Sequence, residues 1–452
     1  MPPESSIQVG AKQIVQQCLD LKPGQQLVVF VDETTIEPGV TIAEAAEALG
    51  VSQTVILVPT AVQRRIPRER DLSFAAQRAA RDARAILTCV NSLPECLPFR
   101  KRILESHWTA HTKIGHMPGA TLQVLALADV DLGQLVADCR CLEITMARGQ
   151  VLELLTYAAD GTTHALTVDL GGWERLPVAS DGIIGDGAWG NVPSGETYIA
   201  PLEGSGEGSV VINGSIPGLV IEPGQEMVLT FERGRLSHIE PADGTAARWL
   251  HRTQISKAQA QGDLHWSSLA EIGVGTNPAV RQLTGNMLFD EKAASTAHIA
   301  LGSNTFMGGL VTASIHCDMV TKAPTIRIDG KVVVDRGRLA YMEAEWHEHY
   351  SQISLDGSPL RVAGQVARSG VQAGRSADGR LQRLLRPEPG RVSACFVGNP
   401  ETARMAHRLY AALPVEGDGL PVDELAKRAT MDADVARRVL HILWNYDLVK
   451  AW

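Results

Sequence analysis

Five side chains of the kinds that bind metal ions lie in the middle of this sequence. They are Glu196 in GNVPSGETYIAPLEG, Glu271 in AEIGVGTNP, His298 in DEKAASTAHIALG, and His316 and Asp318 in SIHCDMV. Carboxylates and imidazoles are ligands that hard and borderline divalent cations accept. The set therefore suits one or two divalent metal ions and makes the chain a candidate hydrolase or oxygenase.

Each of these positions also has a plainer interpretation. Glu196 could be a surface acid at the start of a strand, Glu271 a cap before a glycine-rich turn, and His298 a core histidine. His316 and Asp318 could be two exposed groups at a strand edge. Strand alternation would point both to one face, and apolar neighbours on either side suggest a half-buried segment. Buried charges need partners or a metal, so the joint occurrence of the five favours a metal site.

The elements that must position these residues indicate an α/β fold. Over residues 1–165, helical patterns at Ser6–Leu21, Ile42–Leu49 and Phe74–Ala83 alternate with strand patterns in QLVVFV, QTVILVPT and ARAILTCV. Such alternation favours a parallel sheet in an N-terminal α/β domain. No GxGxxG motif follows the first strand, so the sequence does not support a dinucleotide site.

Residues 166–365 have a different texture, with frequent glycines and short strands rich in β-branched residues. ERGR and RIDGK are typical of hairpin turns. Helices are predicted at Gly244–Ala258 and near Pro278–Gln282. Because all five candidate ligands lie here, we expect a strand-rich, metal-binding catalytic domain.

The C-terminal part divides into a predicted linker and a small domain. Residues 366–391 are rich in Arg, Gly and Ser and predict an exposed linker. Residues 392–452 predict three helices and a strand in DLVKAW, which is typical of a winged helix-turn-helix. Its candidate recognition helix carries only Arg437 and Arg438 as basic residues. A dimerisation or packing module and a peptide-recognition element, as in ribosomal-peptide biosynthesis, both stay open.

Composition limits the partners of the 452-residue chain. Its formal net charge of -9 argues against nucleic acid. Seven cysteines are typical of reduced thiols in a cytoplasmic protein. No basic segment followed by an apolar one opens the chain, and no apolar run approaches the ~20 residues of a membrane span.

The four motifs quoted first, in that order, resemble the thermophilic metallo-aminopeptidase family of aminopeptidases T and S over roughly residues 7 to 340. The resemblance implies that Glu196, Glu271, His298, His316 and Asp318 are ligands of a two-metal centre, usually zinc or cobalt. It also implies a two-domain subunit that forms a homodimer around an enclosed site.

The sequence departs from that family at Thr305. The family usually has a tyrosine seven residues after the first motif histidine, and here no tyrosine lies nearby in the sequence. The short stretch from His298 to His316, with NT-x-x-GG between them, is similar to 2,5-dihydroxypyridine dioxygenase, a mononuclear-iron relative. In that alternative, His298, His316 and Asp318 would bind Fe(II).

The retained acids Glu196 and Glu271 favour hydrolysis of the N-terminal residue of a peptide, or of an amide-containing small molecule. Zinc, cobalt or manganese ions would activate the water, and Glu271, ranked before Glu196, would relay its proton. Lys292 could stabilise an oxyanion or form a surface ion pair, and Asn304 and Thr305 are predicted to contact substrate. The alternatives are the ring-cleaving iron dioxygenase and a non-catalytic binding protein.

Overall fold

The computed structural model describes residues 5–65, 74–106, 111–171, 175 and 177–340, and in the C-terminal part 381–383, 427 and 449–451. The predicted α/β class is confirmed. The helices are α1 (Ser6–Gln13), α2 (Ile36–Ala48), α3 (Thr60–Gln63), α4 (Phe74–Asp82), α5 (Leu97–Ser106), α6 (Leu122–Leu125), α7 (Leu132–Arg148), α8 (Thr245–Leu250), α9 (Ser256–Ala260) and α10 (Met287–Asp290).

The strands up to the first candidate ligand are β1 (Gln26–Val31), β2 (Ser52–Leu57), β3 (Ala85–Cys89), β4 (Lys113–His116), β5 (Val151–Tyr157), β6 (Thr163–Asp169), β7 (Val178–Ser180), β8 (Trp189–Asn191) and β9 (Glu196–Ile199). Those that follow are β10 (Glu207–Ile212), β11 (Ser215–Ile216), β12 (Leu219–Val220), β13 (Met227–Glu232), β14 (Arg235–Glu240), β15 (Leu269–Gly275), β16 (Thr296–Gly302), β17 (His316–Lys322), β18 (Thr325–Ile328), β19 (Lys331–Asp335), β20 (Arg338–Leu339), β21 (Leu381–Arg383) and β22 (Val449–Ala451).

The chain divides into two compact units, of which the first comprises Met1–Ala137, Ser180–Gly195 and Asn277–Arg281. Its sheet has the order β2-β1-β3-β4-β8 with parallel pairing throughout, which confirms the parallel sheet expected from the alternating pattern. The central strands β1 and β3 are nearly continuous buried apolar runs, as is typical of a parallel sheet. Phe30, Ile86 and Ile114 are fully buried in its core.

The second unit comprises Asp138–Ala179, Glu196–Thr276 and Gln282–Trp452. Its sheets have the orders β14-β13-β10-β6-β5-β18-β19-β20 and β12-β11-β17-β16-β15-β9-β7. It begins at Asp138, earlier than the predicted boundary after residue 165. The reason is that apolar side chains of α7, β5 and β6 belong to its core.

The two faces of the β9–β15–β16–β17 sheet differ in chemistry. On one face, alternate residues such as Ile272, Val274, Ile299 and Met319 join the core that the eight-stranded sheet also fills. The strand period of two puts the intervening residues on the opposite face. That opposite face carries the candidate metal ligands.

Several sequence predictions can be compared with these elements. The hairpin turns at ERGR and RIDGK are confirmed as the β13–β14 and β18–β19 connections. The helix predicted at Gly244–Ala258 is present as α8, a wider turn (His251–Ile255) and α9. The helix predicted near Pro278–Gln282 is wrong: Asn277 holds this turn by accepting from the Ala279 amide.

The C-terminal predictions lie mostly outside the described residues, and this includes the winged helix-turn-helix. The strand in DLVKAW is confirmed as β22. It pairs antiparallel with β21, so residues 381–383 of the predicted linker are strand instead, because β22 satisfies their backbone. Lys427 is helical and exposed.

The thiols agree with a reduced state, since the six described cysteines are all free and buried. Over the described ranges, no helix combines the length and the apolar character that a membrane span requires.

Candidate metal centre

The polar face of the second unit brings together the five predicted ligands in register. Glu271 pairs across the sheet with Ala300, which pairs with Asp318. His316 lies opposite Gly302 on the same face. Antiparallel partners point to the same side of a sheet, so small residues alternate with the ligands and leave room between them. The prediction that His316 and Asp318 share one face is confirmed.

Glu271 is the centre of the cluster and is buried. Its Oε1 lies 3.2 Å from His298 Nε2, and its Oε2 lies 3.1 Å from His316 Nε2. His316 Nε2 is also 3.2 Å from Asp318 Oδ1. Glu271, His298 and Asp318 each offer a ligand atom within 4.8 Å of one another, so the three could hold a metal ion.

Two carboxylate oxygens of the cluster are buried without a hydrogen-bond donor among the described residues, Glu196 Oε2 and Asp318 Oδ1. Asp318 Oδ1 lies close to His316 Nε2, but not in the direction of a hydrogen bond. Because buried polar atoms are normally satisfied, such atoms at a convergence of imidazoles and carboxylates are positioned to bind a cation. The residues present therefore fit a divalent metal ion.

The ring of His316 is oriented from outside the cluster. Its Nδ1 lies 2.7 Å from the carbonyl oxygen of Ser303, a bond that requires the proton on Nδ1. Nε2 is then the nitrogen that faces Glu271 and Asp318, and it could hold a cation once it loses its proton. This is the arrangement in which a second hydrogen bond fixes the tautomer of a metal-binding histidine.

His298 is positioned by a gap in the neighbouring strand. It lies opposite Gly273 on β15, and a Cβ atom at Gly273 would come within 2.1 Å of His298 Nε2. Gly275, the second glycine of GVG, also permits a close approach, because a Cβ there would lie 2.2 Å from the carbonyl oxygen of Ala293. Gly275 thus lets the segment carrying Lys292 approach the sheet.

Lys292 is buried and forms an ion pair within the site, so the surface ion pair considered from sequence is wrong. Its Nζ lies 2.9 Å from Glu196 Oε1 and also contacts Glu291. Asp290 anchors this segment by accepting from the backbone of Thr284 and Gly285 and from Ser215 Oγ. Glu196 is likewise not a surface acid, since only 2% of it is exposed.

The charges of the cluster shift the pKa values of its members. Burial lowers the pKa of His298, but the hydrogen bond and charge of Glu271, with Glu196 and Glu291, outweigh it and raise the pKa to about 9. Burial also lowers the pKa of His316, but the charges and hydrogen bonds of Asp318 and Glu271 outweigh it and raise the pKa well above its usual value. Without a metal ion, both rings carry a proton at neutral pH and supply the positive charge that the carboxylates require.

The pKa values of two carboxyl groups in the cluster shift in opposite directions. Burial raises the pKa of Glu271, but hydrogen bonds from His298 and His316 outweigh it and leave the pKa below its usual value. Burial, only partly opposed by Lys292, raises the pKa of Glu291 to about 8. Glu291 therefore retains its proton near neutral pH.

Two site residues were not singled out from sequence, Glu291 and Tyr198. Glu291 precedes Lys292 directly, and Tyr198 is two residues after Glu196, where strand alternation could have found it. Tyr198 lies opposite Gly273 on the polar face. Burial and nearby carboxylates raise its pKa well above the usual value, so the phenol keeps its proton.

Asn304 and Thr305 are the predicted substrate contacts of the NT-x-x-GG stretch. Asn304 is fully buried, and its amide donates to Glu203 and accepts from the Val311 amide. These hydrogen bonds hold the loop together, and contact of Asn304 with a substrate stays a prediction. Thr305 is half-buried in the same loop, and a role for it stays a prediction.

Comparison with known proteins confirms the resemblance inferred from the motifs. Residues 157–341, which contain the whole cluster, match the family model NicX, 2,5-dihydroxypyridine 5,6-dioxygenase. The fold is similar to 2,5-dihydroxypyridine dioxygenase from Pseudomonas putida KT2440, with a TM-score of 0.57 and 19% identity over 75% of this chain and 99% of that one. It is also similar to wild-type AmpT from Thermus thermophilus, with a TM-score of 0.51 and 19% identity over 74% of this chain and 99% of that one. No curated protein is significantly similar in sequence.

We predict that Gly273→Ala lowers metal affinity by about 10- to 100-fold, because the new methyl group would displace the His298 ring. Metal titration followed by elemental analysis measures this. Gly185→Ala is the matched control, since a Cβ there meets only the Ala188 Cβ at 3.9 Å. Wild-type affinity in Gly273→Ala would exclude His298 as a ligand.

We also predict that metal binding at pH 7 releases about two protons. The raised pKa values keep His298 and His316 protonated without metal, and each ring must lose its proton before it can bind the ion. Apparent affinity should therefore rise as the pH increases from 6 to 9. Calorimetric titration in buffers of different ionisation enthalpy counts the protons. Binding without proton release would show that the histidines are not the ligands.

Proposed function

We propose that this chain is an enzyme that uses a single divalent cation held by Glu271, His298, His316 and Asp318. The observation that carries the proposal is the buried ion pair between Lys292 and Glu196, with Nζ 2.9 Å from Oε1. In a two-metal centre, Glu196 would serve the second ion. Here an ammonium group already neutralises it.

Electrostatics supports one cation over two. Burial lowers the pKa of Lys292, but the charge of Glu196 and the hydrogen bonds to the two neighbouring carboxyl groups outweigh it, so Lys292 keeps its proton. Two single positive charges 4 Å apart repel by about 4 kcal/mol at an effective dielectric constant of 20, and a divalent ion doubles the repulsion. A second metal ion at Glu196 would have to displace Lys292.

We further propose that the reaction is the oxygen-dependent opening of a hydroxylated aromatic ring. Three observations support this: the family match spans the whole cluster, two imidazoles with carboxylates suit non-heme ferrous iron, and Thr305 stands where the peptidases usually have tyrosine. A bound ferrous ion would supply the chemistry with molecular oxygen.

The chain's own groups would orient the substrate and move its proton. Lys292 holds Glu196 through Oε1, and Oε2 is buried 3.8 Å from His298 Nε2, with no hydrogen-bond donor in the part of the chain that the structure describes. Oε2 is therefore suited to accept a proton from a substrate hydroxyl group. The protonated Tyr198 phenol offers a donor on the same face.

Hydrolysis of the aminopeptidase type is the second candidate, supported by the two buried acids, Glu196 and Glu271. The geometry of the site reverses the order in which Glu271 and Glu196 are ranked as the general base. Both oxygens of Glu271 face histidine nitrogens, whereas Glu196 Oε2 accepts from no donor among the described residues. In a hydrolase, Glu196 would thus be the better proton acceptor. The homodimer and a peptide substrate stay predictions.

Activity with different metals separates the two reactions. Protein loaded anaerobically with ferrous iron should consume oxygen in step with 2,5-dihydroxypyridine, measured with an oxygen electrode. His298→Ala should lose this activity, and His238→Ala, which changes an exposed histidine of β14, should keep it. Release of nitroaniline from an aminoacyl p-nitroanilide by the zinc, cobalt or manganese form, without oxygen uptake by the iron form, would refute the dioxygenase proposal.

A further inference from the structure

An aromatic ring stands beside the candidate metal centre with part of its surface free. Phe306 lies in the short turn Thr305–Met307, and 46% of it is exposed, whereas the adjacent Met307 is buried. The centroid of its ring is 4.8 Å from that of His316, with the planes at 77°. Single exposed apolar residues are ordinary on protein surfaces. Phe306 differs because its ring contacts a residue of the cluster.

The turn that carries Phe306 is held by a buried network. Asn304 N donates to the Val311 carbonyl over 3.0 Å, and Val311 N donates to Asn304 Oδ1 over 2.8 Å. Glu203 Oε1 accepts from Asn304 Nδ2 over 3.1 Å and from Leu310 N over 2.7 Å. These bonds close the loop on both sides of Phe306.

A second set of contacts fixes the base of the loop. Arg175, which is buried, forms an ion pair with Glu203 and donates to the Gly308 carbonyl over 3.3 Å. A Cβ at Gly309 would come within 2.1 Å of Asn304 Cγ, so the chain packs directly on that amide. The Phe306 ring is therefore presented by a braced turn.

The same loop is tied to the metal centre at its start. The Ser303 carbonyl accepts from His316 Nδ1, and three residues later Phe306 packs its ring against the same imidazole. A molecule bound next to His316 Nε2 would meet the free part of the Phe306 ring. Aromatic rings favour offset or edge-to-face packing with centroids about 4.5–7 Å apart.

We propose that Phe306 is the residue that selects a substrate with a planar ring, by packing against that ring while the substrate's oxygen atoms face the metal centre. This rests on the proposed function for the presence of a metal, but not on the reaction that follows. Phe306 forms one wall of the binding site. The Arg175–Glu203–Asn304 network sets the position of that wall.

Two chelators that share one metal-binding group test the selection. Benzohydroxamate carries a phenyl ring, and acetohydroxamate carries a methyl group in its place. Both are titrated into the cobalt(II)-loaded protein by visible absorption, without turnover. The wild-type protein should prefer benzohydroxamate. Phe306→Ala should reduce that preference by about three- to tenfold and leave the affinity for acetohydroxamate unchanged.

The controls separate ring recognition from general damage. Phe306→Trp should keep the preference, and Val332→Ala, which alters a residue of β19 with 43% exposure, should behave as wild type. If Phe306→Ala loses cobalt, Phe306→Leu gives the same comparison, because it keeps apolar volume against His316.

An equal loss for both chelators, or no change in preference, would overturn the proposal. Its failure is distinguishable from failure of the proposed function: an unchanged chelator preference in Phe306→Ala concerns binding to any loaded form, whereas absence of oxygen uptake concerns the reaction.

Discussion

The buried ion pair of Lys292 with Glu196 is the interaction on which the rest of the site depends. Four carboxyl groups converge there, Glu196, Glu271, Glu291 and Asp318, and burial opposes the charge on every one of them. Lys292 supplies one permanent positive charge. The remainder must come from protons on the histidines or from a metal ion. Under the proposed function, one bound cation would replace the protons of the histidines.

The two faces of the seven-stranded sheet carry different kinds of side chain. One face builds an apolar core, which stabilises the strands independently of the site. On the other face, Gly273 and Ala300 stand between the ligands, so imidazoles and carboxylates converge without bulky neighbours. The stability of the sheet therefore does not rest on the charged cluster, and the ligands can serve binding rather than folding.

Much of this arrangement could be predicted from sequence, because it follows from strand periodicity. The His-x-Asp spacing predicted a shared face, and the ordered motifs singled out five residues that the structure brings together. The sequence could not give the partner of Lys292, because the pairing depends on a turn anchored by Asp290. The hydrogen bond of Asn304 could not be predicted for a similar reason: its partner Glu203 lies 101 positions earlier. Contacts distant in sequence leave no local pattern.

The central claim is that one cation, and not two, occupies the cluster. Anomalous diffraction from crystals grown with excess zinc or cobalt would locate every bound ion directly. The account predicts one peak, surrounded by Glu271, His298, His316 and Asp318, with Lys292 still bound to Glu196. Two peaks, with the second beside Glu196 and Lys292 displaced, would contradict it.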